Sequence, residues 1–260
     1  MLVDFCLPAK NEGLIIRSSL DKLLAYCRQA KFDFSWRIIG VINGSDDDSP
    51  AIFQEYKKRY PEEIDCFEVK EAGRGGALKK YWSLSRADIV AYMDADLAVA
   101  LENIPALINP LLDNSSDLVM GSRLLPGAKR QRSLGREIVS QSYILASRLL
   151  LGGQATDYQC GFKAIRREVF NKLKPLLRND YWFFDIELVV LARHFAYRVR
   201  EIPVDWQEGR YNKRSSRVKI FRDSLISFIN LMKFRRYLSE LKGCRDNAAT
   251  LPPASSDQLK

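Results

Sequence analysis

Residues Ala91–Ala100 read AYMDADLAVA, and Ile89 and Val90 run into them without a break. IVAYM is a short apolar run with β-branched members, the composition of a strand buried on both faces. Two carboxylates one residue apart follow it, Asp94 and Asp96. Carboxylates almost never enter a core unpaired. A buried strand that ends in two of them is therefore read as presenting them at a rim. Residues i and i+2 of a strand share a face, and a turn past the strand end lets both aim at one point. Hard oxygen ligands so placed suit Mg2+ or Mn2+, which keep water and bridge to phosphates. The plainer alternative is a solvated turn with a helix cap.

The flanking sequence repeats one theme. LVDFCLP is a short apolar run ending in Pro8. NEGLIIRSSLDKLLAYCRQA then places Leu14, Ile15, Leu20, Leu23, Leu24 and Cys27 at helical spacing. WRIIGVING, IDCFEVK and DIVAYMDAD read as strands, SPAIFQEYKKRY and GGALKKYWSLSRA as helices, the second opened by glycines. Strands alternating with helices predict an α/β fold with a mostly parallel central sheet flanked by helices. Ligands of such sheets bind beyond the carboxyl ends of the strands. Pro8–Glu12, Asn43–Asp46 and Asp94–Asp96 all fall at such ends. Further on, DLVMGSR, CGFKAIRREVF and YRVREIPVDW contain strands, while RSLGREIVSQSYILASRLLLGG and FFDIELVVLARHF read as helices. A last amphipathic helix is expected from about Ile220 to Leu241. The predicted organisation is a catalytic-type domain over 1–219, the helix at 220–242 and an aperiodic tail at 243–260.

Composition narrows the function classes. The chain has 260 residues, 47% hydrophobic, with a formal net charge of +9. Between Glu208 and Lys242 ten Lys/Arg face three Asp/Glu, a net +7 in one segment. Basic segments of this kind meet phosphate. That segment carries no nucleic-acid-binding motif, so no nucleic-acid partner is expected. Five cysteines are scattered without CxxC spacing, which predicts reduced, cytosolic thiols and no zinc site. The start MLVDFCLPAK lacks the layout of a signal peptide, and no apolar run reaches membrane-span length. A cytoplasmic chain, peripheral at the cytoplasmic membrane face at most, is expected. The single histidine, His194, sits at the end of a predicted helix, so mechanisms that need two histidines are excluded and a Ser-His-Asp triad is disfavoured.

Seven stretches carry a resemblance: LPAKNEG, VINGSDDDS, GRGGALKKYWSLSRADIVAYMDADL, GSR, TDYQCGFKAIRREVF, WFFDIELVVLA and VREIPVDWQE. In this order they resemble the GT-A glycosyltransferases of family 2. The likeness is greatest to the polyprenyl-phosphate branch, the dolichyl-phosphate glucosyl- and mannosyltransferases. It spans Leu2 to Lys219. It implies a Rossmann-like GT-A fold and transfer of a hexose from a UDP- or GDP-sugar to a polyprenyl phosphate, with inversion. Asp94 and Asp96 would be the DxD carboxylates of a divalent metal on the donor diphosphate. Pro8, Ala9, Asn11 and Glu12 would touch the base and ribose, although Asn11 alone also suits the N-cap of the first helix. Asn43 would meet the base edge, and Arg74 the diphosphate. Many relatives have Asp-Asp where Ile42 and Asn43 stand here, and often Lys in place of Arg74.

The resemblance also assigns an acceptor side. Arg123, Arg136 and Ser140 match the residues that hold the acceptor phosphate. Asp157 matches a carboxylate beside the reacting sugar, as sugar anchor or as base, with Gln159 supporting its loop. Asp185 and Glu187 point to different helix faces, so one of them faces the site, and Asp185 is favoured. Arg217 and Lys219 match a basic loop over the diphosphate. The wording of DYQCGFK and WFFDIEL leans to glucose from UDP-glucose. A hydroxyl acceptor is the alternative, with Asp157 as its base. In the last helix Ile220, Phe221, Leu225, Phe228, Ile229 and Met232, with basic neighbours, form either an interfacial face for anionic lipid or an ordinary packing face.

Overall fold

Strand β1 (Leu2–Ala9) lies at the heart of the fold, buried from Val3 to Ala9. The computed structural model describes residues 1–131, 151, 155–207 and 220–241, without the side chains of 130–131 and 220–227. In chain order after β1 come α1 (Gly13–Gln29), β2 (Ser35–Asn43), α2 (Ser49–Arg59), β3 (Ile64–Val69), α3 (Arg74–Leu84) and β4 (Ile89–Met93). Then follow α4 (Ile104–Leu112), β5 (Leu118–Ser122), β6 (Arg130–Gln131), β7 (Phe162–Arg166), α5 (Arg167–Leu173), α6 (Phe184–His194), β8 (Val199–Pro203), β9 (Trp206–Gln207) and α7 (Ile220–Leu241).

Seven strands form one sheet in the order β3-β2-β1-β4-β7-β5-β8, and β6 pairs with β9 in a separate ribbon. All pairings in the large sheet are parallel except those of β7, which runs antiparallel to both β4 and β5. The expected mostly parallel sheet is present. Helices α1, α2 and α4 cover one face through Ile16, Leu20, Phe53 and Leu107. Helices α3, α5, α6 and α7 cover the other through Leu78, Trp82, Phe170, Phe184 and Leu231. Central strands are therefore buried on both faces, which is why they read as continuous apolar runs.

Topology fixes where a ligand can bind. β2 lies on one side of β1 and β4 on the other, so the connections diverge between β1 and β4 and leave a crevice at their carboxyl ends. The reversed strand β7 matters equally. Met93 at the end of β4 pairs with Phe162 at the start of β7. The loop that leads into β7 is thereby brought to the same rim as the residues that leave β4.

Three local expectations change. Leu14 stands on the outer side of α1, 82% exposed, and Ile16 takes the buried place. α4 has no counterpart in the sequence reading, because Pro105 and Pro110 interrupt its pattern. Pro105 falls in the first turn, where its missing N–H costs nothing, and Pro110 in the last. In α7 the face against the body is Leu231, Phe234, Tyr237 and Leu241, while Phe228, Ile229 and Met232 point outward. Phe234 meets Phe183 edge-on at 5.6 Å, and the Arg178 guanidinium lies 3.6 Å over the Tyr237 ring.

Candidate active site

The chain turns sharply just past β4. The Leu97 amide donates to the Asp94 carbonyl at 2.9 Å, with Leu97 at φ 51°. A left-handed leucine costs about 1 kcal/mol, so the turn is imposed by its surroundings. Asp96 Oδ1 accepts from the Ala98 amide at 3.0 Å, which fixes that side chain within the turn. The next residues are strapped down: Ala100 N donates to Asp205 O, and Gln207 N to Ala98 O.

Asp94 is held from two sides. Its amide donates to the Gly161 carbonyl at 3.0 Å, and its carboxylate lies against the Gly161 Cα. A Cβ at residue 161 would fall 2.1 Å from Asp94 Oδ2, so only glycine fits there. On the other side Arg74 Nη1 donates to Asp94 Oδ1 at 3.0 Å. Burial pushes the Asp94 carboxyl up to about 6; Arg74 pulls it down, and Asp96 and Asp185 add to the rise. Mutual repulsion of Asp94 and Asp96 is what a cation between them would relieve.

Arg74 opens α3 and is nearly buried. Its Nη2 donates to Asp185 on α6, and its guanidinium stacks 4.0 Å over the exposed Trp182 ring. Gly75 lets α3 approach this closely, since a Cβ there would lie 2.5 Å from the Phe184 Cβ. Asp185 is fully buried and also accepts from the Tyr92 hydroxyl and, at 3.1 Å, from Lys163 Nζ. Glu187 faces elsewhere: its Oε2 accepts from the Arg178 and Asn179 amides at 2.9 and 2.8 Å. Of the two, Asp185 is the one that reaches the rim, through Arg74.

Asp157 and Arg123 form a closed pair. Nε and Nη2 of Arg123 donate to Asp157 at 2.6 and 2.8 Å, and the Arg123 amide donates to Oδ2 at 3.1 Å. Asp157 has no exposed surface. Its burial works against the charged form, but the Arg123 charge and hydrogen bonds outweigh it and hold the carboxyl below its usual range. Nη1 of Arg123 makes no hydrogen bond among the described residues, and the guanidinium lies 5.5 Å from the Trp206 ring. Thr156 fastens this loop, by a 2.6 Å bond to Ser122 Oγ and by both of its donors to Glu201.

The loops that follow β1 and β2 interlock. Asn11 has φ 55°, and its Oδ1 accepts from the Asp46 amide at 2.9 Å. Asn11 is not the cap of α1. Glu12 takes the N-cap position without a side-chain bond, and Asp47, from the loop between β2 and α2, accepts from Gly13 N at 2.8 Å and Ser49 N at 2.9 Å. Asn43 is buried, donating to Ala9 O at 3.0 Å and accepting from Gly73 N at 3.4 Å. It ties three loops together instead of standing open for a base. Pro8 and Ala9 are buried at the end of β1, and Glu12 is half-buried at the rim. Arg136, Ser140, Arg217 and Lys219 lie outside the described residues.

The donor set fits a hard divalent cation. Asp94 and Asp96 offer carboxylate oxygens, and Arg74 already stands as a cation on Asp94. Among the described residues no cluster of three or more His, Cys, Asp or Glu could hold a metal. Two protein ligands with the remainder from water and a diphosphate is the pattern of Mg2+ or Mn2+. Sequence reading missed Asp47, Trp182 and Lys163. Lys163 had a signal, a lone charge inside the apolar strand GFKAI.

Comparison with known proteins adds a family. Residues 4–174 match the family described as Glycosyl transferase family 2. Glycosyltransferase AglD of Haloferax volcanii is 30% identical over 223 residues, 86% of this chain and 35% of that protein. Dolichyl-phosphate beta-glucosyltransferase ALG5C of Trichomonas vaginalis is 31% identical over 213 residues, 78% of this chain and 63% of that protein. The chain thus spans about a third of the first relative and just under two thirds of the second. Glucosyl-3-phosphoglycerate synthase of Mycobacterium tuberculosis, solved with Mn2+, UDP and glucosyl-3-phosphoglycerate, superposes with a TM-score of 0.62. It is 20% identical, with 90% of this chain and 79% of that one covered, a likeness of fold. The fold is GT-A.

Proposed function

Because the chain belongs to glycosyl transferase family 2, we propose that it moves a hexose from a nucleotide sugar to a polyprenyl phosphate, inverting the anomeric carbon. Glucose from UDP-glucose is the first donor to test, in line with the beta-glucosyltransferase relatives. A divalent cation on Asp94 and Asp96, Mg2+ or Mn2+, would neutralise charge developing on the departing diphosphate. Pro8, Ala9, Asn11 and Glu12 would border the nucleoside, with Arg74, Arg217 and Lys219 beside the diphosphate.

The observation that carries this reading is the Arg123–Asp157 pair. A hydroxyl acceptor needs a base near the operating pH to take its proton. Asp157, the leading candidate, is bound on both oxygens and its carboxyl sits below the ordinary range. The only histidine ends α6 against Phe195. A phosphate monoester has its second pKa at about 6 and is already an oxyanion at neutral pH. Its oxygen attacks C1, the bond from C1 to the diphosphate oxygen breaks, and the bonding pair leaves with the nucleoside diphosphate. No proton has to be removed. Arg123 Nη1, with Arg136 and Ser140, would position the phosphate, and Asp157 would hold Arg123 in place.

The decisive assay supplies labelled UDP-glucose or GDP-mannose, a polyprenyl phosphate, Mn2+ or Mg2+ and detergent. Metal-dependent label in the lipid fraction is expected from one donor, with Asp96→Ala reduced at least about 100-fold. Full activity in Asp96→Ala would sink the metal assignment. Donor hydrolysis without lipid product would shift the acceptor to a hydroxyl.

A further inference from the structure

Lys163 is the only fully buried lysine among the described residues. It sits in the middle of β7, in register with Tyr92 on β4 and Met120 on β5. A buried ammonium is expensive, and a whole buried ion pair exchanged for well-packed apolar residues is often as stable or more so. Stability alone therefore does not account for this lysine. Its contacts do. Nζ donates to the Cys160 carbonyl at 2.6 Å, pairs with Asp185 Oδ1 at 3.1 Å and lies 3.3 Å from the Tyr92 hydroxyl. Asp185 in turn holds Arg74, and Arg74 holds Asp94. Cys160 closes the loop that carries Asp157, and the next residue, Gly161, is the wall behind Asp94.

We propose that Lys163 is a positioning residue that locks the loop bearing Asp157 to the Arg74–Asp94 pair, fixing the acceptor half of the site against the donor half. The inference rests on the proposed function. Asp185 faces two cations, Arg74 and Lys163, and the two together tie β7 and its leading loop to the start of α3. Without Lys163, Arg74 becomes the sole counter-ion of a buried carboxylate, and the Cys160 carbonyl loses its donor. Both halves of the site remain, but their spacing is no longer set. Misplacement by about 1 Å is enough to cost on the order of 100-fold in rate.

The test uses the full chain with Lys163→Met and Lys163→Arg, each checked for folding by circular dichroism. Turnover and donor KM are measured with a nucleotide sugar, a polyprenyl phosphate and Mn2+, and UDP affinity in Mn2+ by calorimetry. K163M is expected to lose about 100-fold in kcat, with donor KM and UDP affinity within about threefold of wild type, because the nucleotide is gripped elsewhere. K163R is expected to recover at least about tenfold over K163M by restoring the charge. If K163M does not fold, Lys163→Gln takes its place under the same criteria. The inference is overturned if kcat stays within about threefold of wild type, if K163R is no better than K163M, or if the loss lies in donor KM and UDP affinity alone. A wild type inert toward every donor overturns the proposed function and this inference with it. An active wild type matched by K163M overturns this inference alone.

Discussion

Asp94 has no room to retreat. Arg74 stands on one side of its carboxylate at 3.0 Å and the bare Cα of Gly161 on the other. An added methyl at 161 would fall 2.1 to 2.3 Å from the three carboxylate atoms of Asp94. Gly161→Ala must therefore swing the carboxylate off its present position. Transfer activity is expected to fall by about 100-fold, while unfolding by denaturant shifts by less than about 1 kcal/mol, because the displaced group lies at a rim. Activity within threefold of wild type would show that the position of Asp94 is not critical. Gly161 and Asp94 were each visible in the sequence, in DYQCGFK and AYMDADL. Their contact was not, because it depends on β7 entering the sheet antiparallel beside β4. The same limit applies to Arg123, whose cationic character was legible but whose partner Asp157 was not. Local residue types announce a chemistry; the sheet order decides which of them meet.

At the scale of elements, the segment between α5 and α6 is clipped by a single buried carboxylate. Glu187, 4% exposed, accepts from the Arg178 and Asn179 amides, and the segment they start carries Asp180, Tyr181 and Trp182 to the mouth of the site. Burial pushes its carboxyl from 4.5 up to about 7, and the two amides with Lys79 and Arg178 offset only part of that. The folded state thus holds this proton more tightly than the unfolded chain. Its contribution to stability is complete below about pH 4.5 and is lost as pH rises through about 7. The amplitude is on the order of 3 kcal/mol. Glu187→Gln keeps an acceptor for both amides and removes the charge. Relative to wild type it should gain stability from pH 5 to about pH 7 and level off above that, read as the difference in unfolding free energy; parallel curves would refute the assignment. The helices that frame this region were legible where apolar residues recur cleanly, as in α1 and α6. α4 was hidden by its two prolines, and in α7 the sequence reading named the stripe through Phe228, Ile229 and Met232 but not the second stripe, through Leu231, Phe234, Tyr237 and Leu241, that packs; periodicity does not rank the two.

At the scale of the molecule, those two stripes divide the labour. Leu231, Phe234, Tyr237 and Leu241 dock α7 on the body, which leaves Phe228, Ile229 and Met232 between 45% and 48% exposed. Lys233, Arg235 and Arg236 neighbour them in a chain of net charge +9. No helix of the described residues is long and apolar enough to cross a membrane. A proposed acceptor with a prenyl tail is nonetheless confined to a bilayer, so the site has to reach one. An exposed apolar stripe with cations beside it is the chemistry of an anionic lipid surface. The full chain is therefore expected to float with vesicles containing phosphatidylserine or phosphatidylglycerol, and to do so less as salt rises and screens the cationic share. Phe228→Ser, Ile229→Ser and Met232→Ser together should cut the bound fraction at least about fivefold and lower the unfolding midpoint far less than a change on the inner face, because all three are exposed. Replacement of the inner Phe234 by Ala should do the reverse, lowering stability by about 3 kcal/mol with little direct effect on vesicle binding by the folded protein. Vesicle binding that survives the triple substitution would locate the membrane contact elsewhere on the surface, and absence of binding by the wild type would leave the outer stripe of α7 without a lipid role.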